Sequence, residues 1–251
     1  MPVDNHINIF VMRLFIQLLL SLSFIVSYAQ QTVIGRVYDY EDTGTSIVFR
    51  CQGGVLEITP YNSSMFKVQT TPNGEYVAPR PSISVVMLPS ATDSMVEEAH
   101  CYRISTDEMQ ATVDKGNGLV AFKDSDDGLV CAEKASLSNT PNDVSCAFCS
   151  MNDIAYYGGG YNGCHNQKGR KLVMNNTPHY EYDTSAYEAL YTCVPFVVST
   201  SGYGIYFDDH FRGAEIMPDA SGISYASKSP TPISYYFVGG GDMDKVMQNY
   251  T

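Results

Sequence analysis

The chain has 251 residues, enough for one large domain or two small ones with a sizeable core. Lys and Arg total 15 against 27 Asp and Glu, a net charge of −12 that argues against nucleic acid as a partner, because phosphate binding needs a basic face. Charged residues make up 17%, below the usual figure of about 25%, while Tyr (19), Gly (20) and Pro (12) are plentiful, as suits many short strands and tight turns.

The N-terminus reads as an export signal. Arg13 precedes an apolar run from Leu14 to Val26, and Ser27-Tyr28-Ala29 places small residues at the −3 and −1 positions of a cleavage site. Residues 1–29 are therefore expected to be a cleaved signal peptide, with Met12 as an alternative start. The run is shorter than the roughly 20 apolar residues a spanning helix needs, so no membrane span is expected after cleavage. An uncleaved anchor is the alternative. The expected location is secreted or periplasmic. All seven cysteines (51, 101, 131, 146, 149, 164 and 193) follow this segment. Export permits disulfides, and the odd count leaves at least one thiol unpaired.

Period-2 alternation dominates after residue 30. Strands are expected at Val33–Tyr38, Ser46–Cys51, Val55–Thr59 and Met65–Thr70, broken by Gly44, Gly53-Gly54 and Pro60. Residues 102–133 contain the best-defined unit. Met109, Ala111 and Val113 alternate with polar residues, Lys115-Gly116-Asn117-Gly118 turns, Leu119–Asp124 returns, and Ser125-Asp126-Asp127-Gly128 turns into a further strand. Residues 134–155 are mostly polar and read as a loop. Strands follow at Lys171–Asn175, Val194–Ser199, Tyr203–Phe207 and Ile233–Val238. One helix closes the chain, with Asp242 as its cap, Asp244 in its first turn, and Met243, Val246, Met247 and Tyr250 on one face. No Gly, Asn or Pro stops it before Thr251, so a truncation is expected there. The pattern is all-β, a sandwich of two antiparallel sheets with a short C-terminal helix.

Several constellations invite chemistry. Cys146-Ala-Phe-Cys149 has redox or zinc half-site spacing, but a second such pair is missing, and the adjacent Cys164 and His165 would point to opposite faces of a strand. Structural thiols or a disulfide are expected instead. Asp124-x-Asp126-Asp127-Gly128 departs from a calcium loop in the position of its Gly and in having Ala135 at the twelfth place, so it reads as a hairpin turn. Asp208-Asp209 would diverge at a strand end, whereas retaining glycosidases hold two carboxyl groups about 5–5.5 Å apart. Gly239-Gly240-Gly241-Asp242 has no following Lys and reads as a turn rather than a phosphate loop. The residues alone imply no metal and no cofactor, and they display no catalytic set.

Ordered motifs nevertheless resemble glycoside hydrolase family 31, the α-glucosidases and α-xylosidases. They are Tyr102-Arg-Ile-Ser-Thr-Asp-Glu-Met109 with its hairpin; Tyr156-Tyr-Gly-Gly-Gly160 with Asn166-Gln-Lys-Gly-Arg170; Asn175-Asn-Thr177, preceded by Met174 where the family has Trp; Gly202-Tyr-Gly-Ile-Tyr-Phe-Asp208; and Tyr235-Tyr-Phe-Val-Gly-Gly240 leading into the closing helix. The resemblance spans roughly residues 45–251 and implies a galactose-mutarotase-like β-sandwich over residues 30–251. It also implies that both catalytic Asp residues lie on a (β/α)8 barrel beyond the closing helix, so neither is assigned here. By the same resemblance, Tyr182-Asp183-Thr184-Ser185 is the loop that reaches the barrel mouth. Asp183 would accept hydrogen bonds from two sugar hydroxyls and Thr184 would add another. A mobile polar loop is the alternative.

Three functions stay open on the sequence. The first is the non-catalytic N-terminal part of a secreted retaining α-glycosidase, inactive alone, with an oligosaccharide or α-glycoside substrate met through the whole enzyme and the barrel as its partner. The second is a free-standing carbohydrate-binding sandwich, although the chain has no Trp. The third is an interaction role for the apolar face that a barrel would otherwise cover.

Overall fold

The computed structural model describes residues 34–72, 82, 84–90, 94–139, 143–151, 153–161, 164–176, 192–209, 212–228 and 234–251. The expected signal peptide lies outside the described residues, as does Val33 of the first expected strand. Among the described residues no helix is long and apolar enough to cross a membrane.

Seventeen strands are seen among the described residues: β1 (Val37–Asp42), β2 (Ile47–Cys51), β3 (Gly54–Asn62), β4 (Met65–Pro72), β5 (Ser94–Glu97), β6 (Cys101–Ser105), β7 (Met109–Asp114), β8 (Val120–Asp124), β9 (Leu129–Asn139), β10 (Val144–Cys149), β11 (Tyr156–Tyr161), β12 (Leu172–Met174), β13 (Thr192–Ser199), β14 (Tyr203–Asp208), β15 (Ala214–Asp219), β16 (Gly222–Ser227) and β17 (Ser234–Gly239). One helix, α1 (Met243–Tyr250), follows. The strands form an eight-stranded sheet ordered β1-β2-β3-β4-β17-β14-β13-β11 and a nine-stranded sheet ordered β12-β15-β16-β10-β9-β8-β7-β6-β5. All the pairs seen among the described residues are antiparallel, in consecutive hairpins such as β1–β2 and β6–β7 and in distant pairs such as β10–β16 and β14–β17.

Aromatic side chains join the two sheets. Phe122 of β8 stacks on Phe237 of β17 at 4.0 Å, and Phe207 of β14 stacks on Tyr225 of β16 at 4.3 Å. Phe148 of β10 meets Tyr235 of β17 edge-on at 5.0 Å. Such offset and edge contacts add roughly 0.5–1.5 kcal/mol each beyond burial. The alternation anticipated in β7 is present, with Met109, Ala111 and Val113 in the shared core.

Three expectations are corrected. Residues 134–155 are not a loop: β9 runs to Asn139, and β10 occupies Val144–Cys149 with Val144, Cys146 and Phe148 buried. Its outward Ser145 and Ala147 are small and weakly polar, so the alternation has low contrast. The first strand starts later than expected, because Gly35 takes φ of +67° and interrupts the extended chain. In α1, Val246 is buried but Met247 is 42% exposed, so the apolar face is narrower than four residues. Asp242 caps the helix as expected, accepting from the Lys245 amide at 2.8 Å.

Candidate functional site

Asp183 and Thr184 fall among residues 177–191, between β12 of one sheet and β13 of the other, and these lie outside the described residues. The structure does describe the two stems of this segment. The Asn176 side-chain oxygen accepts from the Cys193 amide at 2.7 Å, and the Asn175 side-chain oxygen accepts from Arg212 Nε. The Gly213 amide donates to the Met174 carbonyl at 2.9 Å. The Asn175-Asn176 pair therefore ties the end of β12 to the start of β13 and to Arg212 just before β15, a positioning role that its residue types alone did not reveal.

Beside this stem the glycine triplet has a steric reason. Gly158 and Gly160 have φ of +104° and +106°, and β11 is irregular between them where it pairs with β13. A Cβ at Gly160 would stand 2.0 Å from the Thr192 carbonyl oxygen, and one at Gly158 would stand 2.2 Å from that of Phe196. The triplet lets two backbones meet at a bulge; it does not cradle a ligand.

Asp153, missed on the sequence because it sat in the supposed loop, organises the same corner. It is 1% exposed and accepts from Tyr156 Oη at 2.7 Å, from the Met151 amide at 3.0 Å and from Ser199 Oγ. Burial pushes its carboxyl up, but the hydrogen bonds from Ser199, Tyr156 and Met151 outweigh it and hold the group below its usual value. The second half of the resemblance motif clamps β11 from outside. The Gln167 amide donates to the Tyr156 carbonyl at 2.7 Å, and Asn166 Oδ1 accepts from the Tyr156 amide at 3.2 Å. The only sequence signal was Asp153 standing three residues before Tyr156.

The other constellations resolve into structure. Cys146 faces the core and its thiol is pushed well above its ordinary value by burial, while Cys149 falls on the opposite side of β10. Both are free thiols, not a disulfide. Asp124 Oδ1 accepts from the amides of Asp126 and Gly128 at 3.0 and 2.7 Å, closing a hairpin turn in which Asp127 takes φ of +67°. Asp208 accepts from Ser82 at 3.0 Å, whereas Asp209 accepts from Tyr225 of the other sheet, so the two carboxylates diverge. The Gly241 amide donates to the Gly202 carbonyl at 3.0 Å in the turn before α1. Among the described residues no group of three or more His, Cys, Asp and Glu is placed to hold a metal ion.

The outer face of the eight-stranded sheet carries a second apolar cluster. Phe196, Val198, Tyr206, Tyr236 and Val238 lie under α1, where Val246 is fully buried and Tyr250 stacks on Phe196 at 3.9 Å. Lys67 on this face is 3% exposed; burial pushes its ammonium down, offset in part by Asp208 and Glu57. Residues 84–90 edge the face, and a cavity of about 270 Å³ opens between them, Tyr206, Tyr236 and Tyr250. Val86 is 96% exposed and Leu88 82% exposed on that edge.

Fold, motif order and this two-faced sheet define one class of protein. The chain belongs to the glycosyl hydrolase 31 N-terminal galactose mutarotase-like domain family, whose pattern matches residues 55–214. It is 26% identical over 225 residues to "Alpha-glucosidase 2" of Bacillus thermoamyloliquefaciens, covering 87% of this chain and 28% of that protein. Among solved structures it is similar to a GH31 dextranase from Flavobacterium johnsoniae complexed with glucose, with a TM-score of 0.76, 24% identity, and coverage of 87% of this chain and 28% of the other. It is also similar to the cycloalternan-forming enzyme of Listeria monocytogenes in complex with a pentasaccharide substrate, with a TM-score of 0.75, 20% identity, and coverage of 87% and 22%. The chain thus spans about a quarter of the length of these relatives and corresponds to their N-terminal sandwich.

Proposed function

We propose that the chain is the exported, non-catalytic sandwich of a retaining α-glycoside hydrolase acting on α-glucosidic or α-xylosidic bonds. The observation that carries this reading is the outer face of the eight-stranded sheet, where α1, the 270 Å³ cavity and exposed Val86 and Leu88 offer an apolar seat. A (β/α)8 barrel following α1 would occupy that seat. The segment of residues 177–191 would then bring Asp183 and Thr184 to the barrel mouth, where a carboxylate and a hydroxyl suit sugar hydroxyls. The nucleophile and the acid/base would both belong to the barrel. The sandwich supplies position and no chemistry of its own.

The purified 251-residue protein, assayed with 4-nitrophenyl α-glucoside and α-xyloside, is expected to release nitrophenol no faster than buffer. Turnover that disappears in Asp183→Ala would show that the chain carries catalytic groups itself, and would overturn the reading.

A further inference from the structure

The glycine triplet of β11 decides where the next side chain stands. Tyr156, Tyr157 and Gly158 lie opposite Ser199, Val198 and Val197, but Gly160 and Tyr161 lie opposite Cys193 and Thr192. Two steps along β11, from Gly158 to Gly160, thus span four along β13, from Val197 to Cys193. Had the first register continued, Tyr161 would face Val194, which packs against the outer apolar cluster. The slip carries it two residues further, to the first residue of β13. Holding that slip calls for glycine at all three positions. Their φ values are +104°, +82° and +106°, and a Cβ on any of them would stand 2.0–2.7 Å from a neighbouring atom. A bulge at a sheet edge re-aims the side chain beyond it, and strain of this kind persists where placement matters.

The side chain so placed is aromatic and exposed. Val194, Phe196 and Val198 belong to the outer cluster and Cys193 packs against the core, so Thr192 and its partner Tyr161 share the outer face of the eight-stranded sheet. Tyr161 is 63% exposed there, past the end of the apolar cluster rather than within it. Two exposed polar side chains stand close by. Thr192 faces it across the strand pair, and the Asn176 amide is held one residue further along β13 by the Cys193 N–H.

We propose that Tyr161 is a sugar-stacking platform and that it takes a neutral hexose unit of an oligosaccharide. An exposed aromatic face suits the C–H face of a pyranose ring, whose hydroxyls need donors and acceptors at the edge. The Thr192 hydroxyl and the Asn176 amide supply both kinds, and all three side chains are uncharged, as a neutral ligand requires. This contact comes from a strand and is independent of Asp183 and Thr184. The choice of α-glucosyl ligands for the test rests on the α-glycosidase reading; the platform does not.

The chain has no Trp, so Tyr161→Trp introduces a single indole that keeps an aromatic face and reports what touches it. Titration of the purified variant with maltotriose and with isomaltotriose is expected to give a saturable change in Trp emission with one of them, half-complete at about 1–10 mM. Tyr38→Trp is the control. Tyr38 is also 63% exposed, but on β1 at the opposite edge of the sheet, and emission there is expected to stay constant. A second measurement keeps the natural residue and decides the matter if Tyr161→Trp does not fold. Saturation transfer from the unaltered protein to the sugar protons in NMR is expected to fall at least about threefold in Tyr161→Ala, with Tm unchanged. Emission that stays constant in Tyr161→Trp with both sugars, or that changes equally in Tyr38→Trp, would overturn the platform. So would saturation transfer undiminished in Tyr161→Ala. A barrel encoded after Thr251 would leave the α-glycosidase reading standing even then, and only the platform would fall.

Discussion

Gly160→Ala is expected to cost about 4 kcal/mol of folding stability, lowering Tm by roughly 10 °C in a domain of this size. The new methyl group would sit 2.0 Å from the Thr192 carbonyl oxygen, and the alanine would have to hold φ of +106°. Both partners are backbone, so no flexible side chain can swing aside to relieve the contact. The β11–β13 pairing would open at the first residue of β13. Gly44→Ala separates the two contributions. Gly44 has φ of +87° but nothing within 4 Å of its would-be Cβ, so only backbone strain of roughly 1 kcal/mol is expected there. Thermal unfolding of the two variants side by side checks the account. Equal losses would mean that close backbone approach is not what the triplet is for.

The second large effect is on pH dependence and comes from Glu133. Its side chain is 6% exposed between the sheets, accepting from Tyr235 Oη at 2.9 Å and from the Val120 amide at 2.8 Å. Burial pushes its carboxyl up from 4.5 to about 8, against the pull of those two donors. The folded chain thus holds the proton more tightly than the unfolded chain. Its contribution to stability is complete below about pH 4.5 and is lost as the pH rises through about 8. The loss amounts to roughly 5 kcal/mol across that window. Denaturant unfolding at pH 5 and at pH 8.5 should show the decline, and Glu133→Gln, which keeps shape and hydrogen bonding, should remove most of it. A wild-type slope retained in Glu133→Gln would place the titration elsewhere.

The sequence was most readable where the strands alternate strongly and turns are short. Met109–Asp124 is such a unit, with Met109, Ala111 and Val113 inward and a Gly-containing turn between its strands. It failed where outward residues are small. Ser145 and Ala147 of β10, and Ser224 and Ala226 of β16, give little contrast with buried neighbours, so those strands were not read. Pro218 further disguised β15. It is tolerated because β12 pairs only as far as Ile216; beyond that point the Pro218 carbonyl accepts from the Gly169 amide at 2.7 Å, a contact that asks no N–H of the proline.

The site was legible only in part. The order of motifs was enough to name the family, and the structure gives several of them mechanical roles: Gly158–Gly160 for backbone approach, Asn166 and Gln167 as a clamp, Asn175 and Asn176 as ties between strand ends. Beyond its place three residues before Tyr156, Asp153 had no sequence signal, because its function is to collect hydroxyls from Tyr156 and Ser199, which only the fold brings together. Asp183 and Thr184 lie outside the described residues, so their placement at a sugar rests on the proposal above.

That the chain is one part of an α-glycosidase is tested most directly by the genomic DNA following the codon for Thr251, read in all three frames. The expected result is coding sequence for a (β/α)8 barrel carrying two Asp residues at the ends of barrel strands, one as nucleophile and one as acid/base. Absence of a barrel from every frame and from the adjoining genes would contradict this, and would leave a free-standing carbohydrate-binding sandwich.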